Sequence, residues 1–495
     1  MQAKERAVPT TAIVHKFGGT SVGSAERFCA VADIIAHHHG PQGAHAPSGA
    51  VVVVSAMGGV TNALLNGAWA ATEGREATYR QVRTDLLARH LAVVDALFDA
   101  GEERNRLAGR ITDQLSKLER LYDSIAVLGE LTARGRDHVA AFGEMLSVEI
   151  LAACLRERGV AAQALLATDL VVTDDHFGAA IPLMDKTRAR LQARLVPLLV
   201  QGITPVVTGF IAATEDGVTT TLGRGGSDYT AAIIGTGLHA RRGDPTGHDV
   251  QCREVWIWSD VDGILTADPN LVPAARPLRE LSYVEAAELA YYGADVLHPK
   301  TIRPVIENQI PLRILNSFNA ADPGTLIVDR PSATRVHLPA IISTRGLSLI
   351  AVGGLDDYWS LHAVARALQA LSDDGIDVLM FSQSFSEHNL NLIVRRDGQA
   401  RCLRTLQTTF AAELDRAIVT LGTKEQVATV SVVGVPGWNA TGTVSHAFAA
   451  LGAQGTRVIA VAQAATEHSV SFCIPEDQVT ATVRFLHKEL GLESG

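Results

Sequence analysis

The sequence predicts an α/β body built on a largely parallel sheet sandwiched by helices, followed by two small α+β modules of ferredoxin-like type. Three observations carry this. Short apolar, β-branched runs at 11–17 (TAIVHKF) and 50–56 (AVVVVSA) end in Gly-rich turns, and Glu26–His39 between them has helical spacing. Similar runs recur at 203–211 (ITPVVTGFI), 254–259 (EVWIWS) and 310–315 (IPLRIL), giving βα alternation. Beyond residue 340 the chain repeats itself.

In chain order, residues 1–10 carry charge and no apolar run, and are expected to form a flexible tail without signal-peptide character. The body runs from 11 to 330. Within it, 62–140 is rich in Leu, Ala, Arg and Glu, with Leu115, Leu118, Leu121 and Tyr122 at three- and four-residue spacing, and is expected to be a helical insertion. Pro323-Gly324 and Pro331 punctuate the end of the body, and 331–339 reads as a linker. The modules are expected over 340–425 and 426–495. Gly375, Val378, Gln383, Glu387 and His388 recur at an offset of 80 as Gly455, Val458, Gln463, Glu467 and His468. Val352, Gly354, Val364 and Ala367 likewise meet Val432, Gly434, Val444 and Ala447. Identities spread over helix and strands argue for duplication over chance.

At 495 residues the chain exceeds one ordinary core, so about two to four domains are expected. A hydrophobic share of 47%, a charged share of 19% and a formal charge of −10 describe a soluble globular chain with no basic field for nucleic acid. An anionic substrate must then be held by a few placed cations and backbone amides. The five cysteines are scattered without a C-x-x-C pair, which fits a reducing, cytoplasmic compartment. Charged or Gly residues interrupt the apolar stretches, so no membrane span is expected.

Three loops can carry chemistry. Lys16-Phe17-Gly18-Gly19-Thr20-Ser21 follows the first strand and precedes a helix: glycines let backbone approach an anion, helix-start amides face it, and Lys16 adds charge. The spacing is not that of a P-loop, and a Gly-Gly turn in that place also serves structure alone. Thr221-Leu222-Gly223-Arg224-Gly225-Gly226-Ser227-Asp228 again precedes an apolar helix. Arg224 can grip a carboxylate with two parallel hydrogen bonds, and Ser227 and Asp228 can cap the helix; a capped turn with a solvated Arg is the alternative. Ser259 to Pro269 puts Asp260, Asp262 and Asp268 within nine residues, for nucleotide hydroxyls, magnesium or simply turns.

At these residues the chain resembles the aspartate kinases. Lys16-Phe17-Gly18-Gly19-Thr20-Ser21-Val22 and Gly223-Arg224-Gly225-Gly226-Ser227-Asp228 look like their two signatures. Ser55-Ala56-Met57-Gly58-Gly59-Val60-Thr61-Asn62, Phe142-Gly143-Glu144 and Val296-Leu297-His298-Pro299 match in family order, and the duplicated modules resemble paired ACT domains. The likeness covers about residues 11 to 490. It implies the amino-acid-kinase fold, with ATP and Mg²⁺ as cofactors and L-aspartate as the phosphoryl acceptor. It also implies an amino-acid effector, threonine first and lysine second, and a homodimer or dimer of dimers through the ACT domains. In style the repeats are similar to the threonine-sensitive enzymes often fused to homoserine dehydrogenase; the chain stops after the second repeat, so no dehydrogenase is expected.

The resemblance assigns the transferred phosphoryl group to Lys16 and the Gly18 and Gly19 amides, with Phe17, Ser259, Asp260, Leu265, Asn270, Asp295 and Val296 on the nucleotide. Arg224 would hold the unreacting α-carboxylate and Glu144 the ammonium. Ser55, Thr61, Gly225, Gly226 and Ser227 would supply further polar contacts, and Asp228 would orient this set or the metal. No metal-ligating residue is assigned. The family usually has Arg where this chain has Asn270, and Lys where it has Asp295, so two cations are missing from the implied nucleotide region. Gln383 and Gln463, each ending an apolar strand before a polar turn, are the expected regulatory pair; capping of loop backbone is the alternative. A different acid kinase of the same fold and a non-catalytic amino-acid sensor are the competing functions. His37-His38-His39 is expected to be a solvated helix end, Trp256 and Trp258 core packing, and Tyr291-Tyr292-Gly293 a capped helix end.

Overall fold

The computed structural model describes residues 11–39, 48–239, 250–291, 297, 299–332, 338–355, 361–384, 388–433, 440–463 and 469–493. The expected tail at 1–10, Asp295, Val296, His298, Gly293, Glu387 and Glu467 lie outside them. The chain divides into two compact units, one of residues 1–264, 279–283 and 296–331, the other of 265–278, 284–295 and 332–495.

In the first unit β1 (Thr11–Phe17), α1 (Ala25–His39) and β2 (Gly49–Val54) form the expected opening. Four helices follow where an insertion was expected: α2 (Val60–Thr72), α3 (Glu76–Leu97), α4 (Glu102–Leu128) and α5 (Ala133–Ala140). On α4 the three- and four-residue spacing buries Leu107, Ile111, Leu115, Leu118, Tyr122 and Ile125, and Gly129 ends the helix at φ 69°. Then come α6 (Phe142–Glu157), β3 (Ala162–Leu165), β4 (Val172–Thr173), α7 (Met184–Val200), β5 (Thr204–Thr208), β6 (Ile211–Thr214), β7 (Thr219–Thr221) and α8 (Gly226–Leu238). The run 203–211, read as one strand, is two, because Phe210 takes φ 66° and turns the chain between β5 and β6.

The unit continues with β8 (Gln251–Ser259) and β9 (Glu280–Ser282); α9 (Tyr283–Tyr291) leads out of it, and α10 (Pro299–Glu307), β10 (Leu312–Asn316) and β11 (Thr325–Val328) complete it. Eight strands pair in the order β3-β5-β2-β1-β8-β10-β11-β9, all parallel except β10 against β11. Strands buried on both faces explain why β1 and β2 read as continuous apolar runs. The stretch 133–157 spanning α5 and α6 is apolar and long enough for a bilayer by composition, contrary to expectation, but most of its apolar window is buried as core.

The second unit holds β12 (Ala340–Gly354), α11 (Leu361–Asp373), β13 (Val378–Ser384), β14 (Asn389–Arg395), α12 (Gln399–Thr409), α13 (Ala411–Asp415), β15 (Val419–Val433), α14 (Ala440–Gln454), β16 (Ala460–Gln463), β17 (Ser469–Pro475) and α15 (Val479–Glu489). All strand pairs are antiparallel, in the order β13-β14-β12-β15-β17-β16. The two 15-residue strands are shared. Leu347–Gly353 of β12 pairs with β14, whereas Ala340–Thr344 pairs only with Thr429–Val433 of β15. The register shifts between Thr344 and Leu347, where Gly346 has φ 70° and Gln426 opposite has φ 57°.

Each half then serves a different core. Ile341 packs with Ala428, Val430, Val432, Ala447 and Phe472, while Val419 packs with Ile350, Val352, Ala367 and Leu390. The expected boundary at 340 is corrected to the bulge at Gly346: residues 340–344 supply the fourth strand of the second module, from a point in the chain that precedes the first. Two βαββα repeats alone would each lack that strand; the first half of β15 fills the place in the first module and the first half of β12 the place in the second.

Candidate active site

The C-terminal ends of β1, β2 and β5 deliver Lys16, Ser55 and Phe210 to one cleft, where α2, α6 and α8 also begin. The cleft encloses about 410 Å³ and is lined by Lys16, Gly19, Ser55–Gly59, Thr61, Asn62, Glu144, Phe210 and Gly223–Asp228. Helix starts present free N–H groups and the positive end of the peptide dipoles, a field that favours carboxylate and phosphate. In open α/β sheets the crevice beyond the strand carboxyl ends is where ligands bind.

Close backbone approach sets the floor. A Cβ on Gly19 would lie 2.9 Å from the Ala56 carbonyl oxygen, and Gly58 N–H donates to the Gly19 carbonyl at 3.0 Å. A Cβ on Gly143 would meet the Ala56 Cβ at 2.6 Å. Only with glycine there can the start of α6 close on the loop after β2. That contact puts Glu144 Oε1 on the Ala56 N–H at 3.1 Å. Its Oε2 is buried without a hydrogen-bond partner among the described residues. Loss of solvent pushes the Glu144 carboxyl up to about 8 against the backbone bond that opposes it. A cation entering the cleft would restore the carboxylate.

Lys16 Nζ stands 2.6 Å from Asp228 Oδ1, both side chains less than one fifth exposed. The contact is a short, charge-assisted ion pair. The Lys16 ammonium lies over Gly18, where a Cβ would come within 3.3 Å of it. Asp228 sits in the first turn of α8, and the helix is capped by Gly225 at φ 70° with no side-chain bond. The expected capping by Ser227 or Asp228 is thus corrected: Gly225 takes the left-handed turn, which leaves both side chains to face the cleft. Arg224 is exposed at its rim.

Lys16, Gly19, Ser55, Thr61, Glu144, Arg224, Gly225, Gly226, Ser227 and Asp228 therefore meet in one place. Phe17 does not; it is fully buried and stacks on Trp258 with ring centroids 5.5 Å apart. Phe17 pairs with Trp258 in register, so Gly18 leaves β1 beside Ser259, the last residue of β8. Asp260 is exposed. Asp262 accepts from Asn316 Nδ2 and Asn319 Nδ2 at 2.8 and 3.0 Å, and Asp268 accepts from the Asn270 backbone and side-chain amides. Two of the three acids thus tie turns. Leu265 and Asn270 belong to the second unit and do not line the cleft, and the Asn270 side chain is turned back on Asp268.

The histidines are a further correction. His39 accepts or donates at Nε2 to His15 Nε2 across 2.8 Å, and its Nδ1 bonds the Ser48 carbonyl at 3.1 Å. Trp258 Nε1–H donates to His15 Nδ1 at 3.2 Å. His38 and His39 thus pack over strand side chains, whereas His37 is exposed as expected.

The amino acid kinase family model matches residues 11–316, and an ACT domain model matches 430–490. Aspartokinase 1 of Arabidopsis thaliana is 34% identical, the match spanning 97% of this chain and 80% of the relative. Lysine-sensitive aspartokinase 3 of Escherichia coli is 31% identical over 97% of this chain and 99% of its own length. The chain belongs to the aspartokinase family. The crystal structure of E. coli aspartokinase III in complex with aspartate and ADP superposes with a TM-score of 0.78 at 27% identity, covering 97% of this chain and all of the other. Bifunctional aspartokinase/homoserine dehydrogenase 1 of Zea mays, 31% identical, is matched over half of its length.

Within this aspartokinase frame, sequence reading missed Phe210 and Asp137. Phe210 lines the cleft in a left-handed conformation, its N–H on Thr230 Oγ1 at 3.0 Å and its carbonyl on Leu222 N at 2.9 Å. A Cβ on Gly226 would meet its ring at 2.6 Å. The Gly209-Phe210 step inside an apolar run was the available signal.

Proposed function

We propose that this chain transfers the γ-phosphoryl group of ATP to the side-chain carboxylate of L-aspartate, the reaction that opens lysine, threonine and methionine synthesis. The observation that carries the reading is the convergence of Lys16, Glu144, Arg224 and Asp228 on a single cleft entered by three helix starts. Two unit charges 4 Å apart repel by about 4 kcal/mol at an effective dielectric near 20, so two anionic reactants must be neutralised before they are aligned. Lys16 and the glycine cradle answer the phosphoryl group, and Arg224 answers the α-carboxylate. Glu144, its Oε2 without a partner among the described residues, answers the ammonium. The acceptor is already a carboxylate at neutral pH, so the step needs no general base and no covalent enzyme intermediate.

The glycine cradle fits nucleotide phosphates. Among the described residues no three metal-ligating side chains come together, so magnesium would enter on the phosphates and owe most of its ligands to them. Bound there, it would neutralise phosphate charge.

The paired modules support control by an amino acid, threonine or lysine; aspartokinase III of E. coli has been crystallised with lysine and aspartate. Assembly into a homodimer or dimer of dimers and a cytoplasmic location complete the proposal. ADP release in the presence of ATP and magnesium, with aspartate, glutamate or N-acetylglutamate as acceptor, tests it. Turnover is expected with aspartate; ADP release indifferent to the acceptor would overturn the reading.

A further inference from the structure

The loop that carries Arg224 has no regular structure of its own, and its position is set from α5. Asp137 is 1% exposed, and its carboxylate faces three donors. Oδ2 accepts from the Gly178 and Thr221 backbone N–H groups, each at 2.8 Å, and Oδ1 accepts from Thr221 Oγ1 at 2.9 Å. A carboxylate supplies enough lone pairs for all three, and no neutral residue of its size offers two acceptor oxygens.

These bonds join two segments. The loop at 174–181 is folded on Asp174, which accepts from His176 N and Ile181 N, and it packs directly on the Arg224 loop. Ala180 N–H donates to the Thr221 carbonyl at 2.9 Å, and a Cβ on Gly223 would lie 3.1 Å from the Gly178 carbonyl oxygen. Thr221 is the last residue of β7 and stands three positions before Arg224. From there Leu222 N is fixed on Phe210 and Gly226 N on Gly223, so the turn has little freedom once its entry is held. Asp137 holds that entry.

We infer that Asp137 is a positioning residue for aspartate: it locks Thr221 and Gly178 so that Arg224 meets the substrate carboxylate at a set distance from Lys16. This rests on the proposed role of Arg224. Without the clamp, Arg224 keeps its charge and its accessibility but must be ordered by the substrate itself, which weakens binding and leaves the phosphoryl end untouched.

Asp137→Ala, Asp137→Asn, Thr221→Val and Arg224→Ala are assayed for ADP release, with thermal melts on each. Asp137→Ala should raise the aspartate KM about tenfold or more while kcat and the ATP KM stay within about threefold. Asp137→Asn should return the aspartate KM to within about threefold of the parent, since an amide oxygen can take both N–H groups while its NH₂ donates to Thr221 Oγ1. A folded Asp137→Ala protein with an unchanged aspartate KM overturns the inference, as does an equal rise in both KM values. Should Asp137→Ala fail to fold, Thr221→Val decides. It keeps the backbone bonds and loses one donor, with an expected rise of about fivefold or more in aspartate KM alone, and a change within about threefold overturns the clamp. If Arg224→Ala itself leaves the aspartate KM unchanged, the anchor assignment fails; if only the Asp137 and Thr221 variants do so, the clamp alone fails.

Discussion

Lys16 at the end of β1 and Asp228 in the first turn of α8, 212 positions apart in sequence, form an ion pair at 2.6 Å on the wall of the cleft. The pair keeps the ammonium oriented before any anion arrives, and a phosphoryl group must compete with Asp228 for it. Removing the cation should therefore act on the step at which phosphoryl charge develops. Lys16→Ala is expected to lower kcat by far more than tenfold with a smaller effect on aspartate KM. A loss below tenfold, about 1.4 kcal/mol, in steady-state ADP release would show that Lys16 is not the phosphoryl clamp.

Glu144 makes aspartate binding depend on pH. Its carboxyl, pushed to about 8 by burial, carries a proton in the free site at neutral pH and must lose it to pair with an ammonium. The aspartate KM should fall by up to tenfold per unit as pH rises toward about 8, then level off, whereas Glu144→Gln should bind weakly with a flat profile. Stability runs the opposite way. The raised value means the folded state keeps a proton that the unfolded chain releases above its ordinary 4.5, so this group's contribution is full below 4.5 and is lost as pH climbs through about 8. Melts of parent and Glu144→Gln at pH 5 and pH 8 check the sign: the parent should lose more on going up.

Gly143 is the residue whose size sets the Glu144 to Ala56 bond. An added methyl would sit 2.6 Å from the Ala56 Cβ and 3.5 Å from Val60 Cγ1, both on the rigid start of α2 and its loop. Gly143→Ala should cost about 1–3 kcal/mol of stability through overpacking and raise aspartate KM, since α6 must back away from the cleft. An unaltered melting temperature together with an unaltered KM would mean the helix start adjusts freely.

Gln383 and Gln463 occupy matching places in the repeats but different surroundings. Gln383 is half-buried, with Nε2 lacking a partner among the described residues, while Gln463 is exposed at the end of β16. A buried donor left over is the better anchor for an amino-acid effector. With threonine and lysine tested separately, Gln383→Ala should shift the half-inhibiting concentration by about fivefold or more, and Gln463→Ala by less. No shift in either variant would remove the pair from the effector site, and equal shifts would show that the difference in burial does not matter.

What the sequence by itself determined was short-range. A β-branched run, a Gly-rich turn and an amphipathic helix specify a strand, a loop and a helix start within some twenty residues, so the cradle at Lys16–Ser21 and the Arg224 loop could be read directly. The repeat declared two modules for the same reason, since each copy encodes its own helices and strands. What only the tertiary structure decided was which distant groups meet. Asp137 looks like any surface acid on a polar helix until Gly178 and Thr221 close on it. His39 looks solvated until β1 brings His15 beneath it. The strand at 340–344 carries no mark of belonging to the second module, because pairing depends on where Gly346 and Gln426 bend two long strands. Burial, hydrogen-bond satisfaction and strand partnership are properties of atoms brought together from far apart in the chain, and local pattern does not encode them.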